Sequence, residues 1–214
     1  MRFIRDGVHF YLIGLIILSL GIALAVMSML GASPYDALLV GLYRTFGFTI
    51  GSWEIVVGFL LVMGNAIAAR KRPEYFALIT SFITGVGIDS WMFILKFIYV
   101  PEAWLGQSIF IILSVILTGL GIALNLQSQV APNPMDRSML VVSELTGWNV
   151  TISRAAISVI LVITAFFFSG AIGIGTLLHA VFTGMFINFF FPFVIRLRKA
   201  SLEKWSDAER QLAK

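Results

Sequence analysis

Three aspartates lie in stretches of this chain where charge is costly, and each is a candidate for binding a substrate or ion. Asp36 and Asp136 stand in matching texts, Ser33-Pro34-Tyr35-Asp36 and Asn133-Pro134-Met135-Asp136. A short polar residue before a proline, with an acid two residues on, marks a helix N-terminus. Free backbone amides and the positive end of the helix dipole make such an end a natural place for a polar ligand. Gly47 and Gly147 sit where those helices should stop. Each helix is then about a dozen residues, ~18 Å at 1.5 Å per residue, too short to cross a bilayer. Asp89 is a different case. It falls in the middle of an apolar run with no Lys or Arg within a helical turn. A carboxyl there is either a proton, cation or substrate site, or it is glue hydrogen-bonded across helices.

Around these acids stand residues of lesser promise. Asn188 aligns with Asp89 at an offset of 99 residues and offers an amide of the same shape. Ser33 and Asn133 are counted with the aspartates as binding candidates. His179, Glu54 and Arg154 are candidates for a gate or relay; each also reads as a packed or anchoring side chain. Asn65 and Asn125 read as helix–helix contacts. No pattern for a phosphate loop, a zinc protease or a serine hydrolase is present, and there is no cysteine. Gly85-Val86-Gly87-Ile88-Asp89 echoes intramembrane aspartic proteases, but the Asp does not follow the second Gly directly. The sequence therefore predicts no enzyme, no catalytic residue, no metal and no cofactor.

The elements that must position these residues are membrane helices. Hydrophobic residues make up 59% of the 214 and charged ones 12%, more apolar surface than one soluble core of this size can hide. Runs near 10–29, 52–69, 75–97, 105–126, 153–169 and 175–195 are long enough to span, the second and fifth only with help from their flanks. With the N-terminus in the cytoplasm, thirteen of the fifteen Lys and Arg fall inside, leaving Arg44 and Lys96 outside. Basic residues gathered at segment ends indicate topology and not a nucleic-acid stripe.

The chain also repeats itself. Leu20-Gly21-Ile22-Ala23-Leu24 returns 100 residues later as Leu120-Gly121-Ile122-Ala123-Leu124, and Ser28, Pro34, Asp36 and Gly47 return at the same offset. Thr84-Gly85 returns as Thr183-Gly184. Three spans per copy is an odd number, so the second copy must enter from the opposite face. The expected fold is an all-α polytopic membrane protein of two inverted three-span repeats. Repeat one covers 1–98 with a short helix at 34–47; repeat two covers 105–195 with one at 134–147. An amphipathic cytoplasmic tail, 196–214, carries Trp205. The short helices read either as interfacial or as half-helices dipping back into the bundle with their N-termini inward.

The repeated glycine text, the Gly-x-Ser-Pro-x-Asp segment at 31–36, the six spans and the basic second cytoplasmic loop are similar to the YczE/YyaS/YitT family of bacterial membrane proteins. The resemblance covers nearly all of 8–195; the second copy departs from it with Asn133 and an extra Pro132. It implies the architecture and a bacterial inner-membrane location, and supplies no substrate. The favoured expectation is a secondary transporter with alternating access around a midplane site where Asp89, Asn188, Asp36 and Asp136 meet. A channel with aquaporin-like half-helices and a non-transporting scaffold for a biosynthetic or signalling partner are the alternatives. Expected partners are the lipid bilayer and a small molecule or ion; nucleic acid is excluded and a homodimer is allowed.

Overall fold

A computed structural model describes residues 2–131 and 133–212, with side chains for 7–131 and 133–200. Its helices are α1 (Arg2–Met27), α2 (Pro34–Phe46), α3 (Ile50–Ala69), α4 (Tyr75–Ile98), α5 (Trp104–Ser128), α6 (Pro134–Thr146), α7 (Val150–Phe167) and α8 (Ile174–Leu212). Six are long and apolar enough to cross a membrane, and α2 and α6 are the short ones. Large apolar side chains face outward along them, Phe166, Phe167 and Phe189 among the most exposed. Lipid takes that surface.

The helix ends are set locally, and in corresponding ways in the two copies. Ser33 Oγ accepts from Asp36 N, and Asn133 Oδ1 accepts from Met135 N, so both caps fall where the polar–proline text puts them. Gly47 and Gly147 follow the last residues with positive φ. The second and fifth spans start earlier than hydropathy indicates, because Thr49 and Asn149 cap them: each side chain accepts the backbone N–H three residues on, from Ser52 and Ile152. The sixth span is corrected more. The backbone of α8 runs unbroken through Pro192 to Leu212, so the tail continues the span and does not form a separate surface helix. The side chains beyond 200, that of Trp205 included, and Pro132 lie outside the described residues.

The repeated text makes the centre of the molecule. α1 and α5 cross antiparallel in the most extensive helix pair. A Cβ on Gly21 would sit 2.8 Å from Thr118 N, and one on Gly121 2.6 Å from Leu18 N. Only glycine lets the two backbones approach this closely. Beside this pair, α4 packs on α1 and α8 on α5. The short helices cross over: α2 lies against α7, and α6 against α3. At one end the turn after α1 is stitched to the turn before α8, Ala32 N donating to Ala171 O at 2.9 Å and Gly175 N to Leu30 O at 2.8 Å. Gly31 belongs to this stitch. It has φ of 109°, and a Cβ there would meet Gly173 N at 2.7 Å.

Candidate functional site

A cavity of about 440 Å³ opens beside the α1–α5 crossing. Its walls come from both copies at matched positions: Leu18 with Thr118, Ile22 with Ile122, Ser33 with Asn133, Tyr35 with Met135, Asp36 with Asp136, and Glu54 with Arg154. Every one of these pairs is 100 residues apart, so both copies of the repeat contribute to the cavity. The N-terminal ends of α2 and α6 both contribute to it.

The two short-helix ends differ in detail. Asp36 is buried, and its carboxyl accepts a 2.6 Å hydrogen bond from Ser33 Oγ, the same hydroxyl that caps the helix. Asn133 spends its oxygen on Met135 N at 2.9 Å, which leaves the half-buried carboxyl of Asp136 outside the cap. Arg154 stands close enough to Asp136 for the two charges to act on each other. Glu54, the positional mate of Arg154, is buried to 1% exposure, and neither carboxyl oxygen has a hydrogen-bond partner among the described residues. Tyr35 and Ser81 turn hydroxyls toward Glu54, and these too are unpaired. Thr118 Oγ1 and Asn125 Nδ2 on the α5 wall are likewise buried and unpartnered. Native interiors rarely leave buried polar atoms such as Thr118 Oγ1 and Asn125 Nδ2 without a partner.

His179 borders the cavity but is fully engaged. Its Nε2 lies 2.8 Å from Ser114 Oγ and its Nδ1 3.3 Å from Thr183 Oγ1, which fixes the ring between α5 and α8.

Two of the residues expected at this site are elsewhere. Asp89 does not reach the cavity. Its Oδ2 accepts from Thr49 Oγ1 at 2.6 Å and its Oδ1 from Gly51 N at 2.9 Å. The free amides at the start of α3 are what a carboxylate on the neighbouring helix finds first, and Asp89 binds them across the α3–α4 contact. Asn188 is exposed on α8, outside the cavity wall. Conversely, Tyr35, Thr118 and Asn125 belong to the site without having been singled out for it. Thr118, Ile122 and Asn125 follow the i, i+4, i+7 spacing of one helix face, the signal by which they could be grouped. Asn65 is the interhelical contact expected of it, donating to Pro134 O at 3.2 Å.

Six spanning helices and a shared cavity define a multi-pass, all-α membrane protein built from an internal repeat. A family described as "Family of unknown function (DUF6198)" matches residues 6–192, and the chain belongs to it. YyaS of Bacillus subtilis is 43% identical over 187 residues, covering 87% of this chain and 93% of that protein. The membrane protein YczE of the same organism is 35% identical over 189 residues, 88% of this chain and 86% of its own length. A Haemophilus influenzae protein is 27% identical over 195 residues, 90% and 87% of the two chains. No solved structure matches significantly.

Proposed function

We propose that this protein is a secondary transporter, moving a small molecule or ion by alternating access around the cavity between two inverted repeats. It works in the bacterial cytoplasmic membrane with both termini inside. The observation that carries the reading is a difference between equivalent helix pairs. In the first copy α3 and α4 are zipped together. A Cβ on Gly85 would lie 2.4 Å from Gly51 O, and Asp89 ties the start of α3 to α4. In the second copy no comparable contact joins α7 to α8 among the described residues. Gly184, the mate of Gly85, has nothing within 4 Å of where its Cβ would be, and Thr151, the mate of Gly51, lines the cavity. Two related halves in unlike conformations are what one state of a rocking transporter requires; the other state exchanges their roles.

The alternatives fit less well. A channel with aquaporin-like half-helices gives no reason for one helix pair to be packed and its counterpart apart. A scaffold needs no cavity lined with unmet polar groups.

The absence of native cysteine makes the test direct. Thr151→Cys with Asn188→Cys marks the open pair, and Thr49→Cys with Asp89→Cys marks the closed one. Treated in membranes with a short bifunctional thiol reagent, both pairs should cross-link, each in part of the population, and the Thr151–Asn188 link should stop substrate movement. If that pair never links while the Thr49–Asp89 pair links completely, the halves do not exchange and the transporter reading fails.

A further inference from the structure

Resting on the transporter reading, the chemistry of the cavity walls narrows the substrate. We propose that the cavity takes a small organic cation with an apolar body, its positive centre held by Glu54 and Asp36.

The argument begins with charge. Arg154 is the single Lys or Arg among the cavity-lining residues, with His179 held between Ser114 and Thr183, against three carboxyls, Asp36, Glu54 and Asp136. These charges are unevenly shared. In the second copy Arg154 is near enough to Asp136 to act on its charge, without forming an ion pair with it among the described residues. In the first copy Glu54 and Asp36 are both buried in the cavity wall, the charge of Asp36 acts on Glu54, and no Lys or Arg offsets it. Two buried carboxyls in one wall are stable when they hold a proton or meet a cation. Asp36 is hydrogen-bonded to Ser33, whereas Glu54 has only the hydroxyls of Tyr35 and Ser81 turned toward it and no cation.

The size and texture of the cavity then separate an organic cation from a metal ion. Among the described residues no group of three His, Asp or Glu is placed to hold a metal. A bare ion would leave most of the 440 Å³ empty, whereas that volume is within the range of small-molecule sites. Leu18, Ile22, Ile122, Met135 and Met139 supply apolar wall on which a hydrocarbon body can lie. Methionine and branched aliphatic side chains accept varied shapes, so the cation is selected by charge and bulk more than by outline. An anion is disfavoured by the balance of the wall, which sets one guanidinium against three carboxyls.

The test uses the full chain in detergent and three soluble probes of similar bulk: benzyltrimethylammonium, benzenesulfonate and benzyl alcohol. Calorimetric titration should show benzyltrimethylammonium binding and neither of the others. Glu54→Gln should weaken it at least tenfold and Asp36→Asn by a smaller factor. Arg154→Gln, at an exposed position of the wall, should tighten it threefold or more, a gain that misfolding cannot imitate. Equal binding of benzenesulfonate or benzyl alcohol, no binding of any probe, or an unchanged affinity in both Glu54→Gln and Arg154→Gln overturns the proposal. Counterflow in proteoliposomes separates the two readings. Binding without counterflow of benzyltrimethylammonium leaves the cation site standing and removes transport. Counterflow of benzenesulfonate in place of the cation does the reverse.

Discussion

Asp89 teaches the difference between a residue that is costly and a residue that is at the site. Its depth in an apolar helix marks it as a charge needing a partner, and that much is readable from spacing alone. Which partner it finds depends on α3 lying beside α4, and Gly51 N and Thr49 Oγ1 then satisfy it. Loss of a helix cap costs about 1 kcal/mol. Asp89→Asn should therefore lower the melting temperature of the purified protein by a few degrees while substrate binding stays within about twofold of wild type, as calorimetry would show. A collapse of binding in a variant that melts normally would put Asp89 back at the site. Glu54 is the opposite case. Its position at the start of a span makes it look like a solvated anchor, yet it is the most deeply buried acid among the described residues. The one trace of this in the sequence is that its mate at an offset of 100 is Arg154.

At the scale of the helix, the local signals carry furthest. Caps, prolines and glycine stops fix α2 and α6 to the residue, because each acts through bonds made within a turn of the chain. The pairing of helices is less legible. Gly85 and Gly184 occupy the same place in the repeat, and composition treats them alike, but one is packed against Gly51 O and the other faces open space. Alanine should tell them apart. Overfilling a tight contact costs about 1–3 kcal/mol, so Gly85→Ala should destabilise the protein by that amount or drive α3 from α4. Gly184→Ala should leave thermal melting unchanged. Equal effects at the two glycines would mean that the two helix pairs are packed alike in solution.

Across the molecule, segments that the charge pattern assigns to one face are found together: Arg137 pairs with Glu74 at 2.8 Å and Lys71 with Glu144 at 3.1 Å. Among segments assigned to the other face, Arg44 Nη1 donates to Ser169 O at 2.8 Å. An alkaline phosphatase fused after Lys214 should be inactive in cells, and one inserted in the turn at 99–103 should be active. The converse pattern would invert the protein in the membrane. The family resemblance and the repeat foretell six spans and two short helices. Neither could foretell that the α7–α8 side stands open, because that is a property of one conformation and not of the residue pattern.

The crossing of the short helices between the copies makes each half depend on the other. Neither half is a self-sufficient body: α2 would have no α7 to lie on, and α6 no α3. The two halves are also unlike in charge: position 54 holds an acid where position 154, its counterpart in the repeat, holds a base, an inequality that a dimer of identical subunits cannot possess.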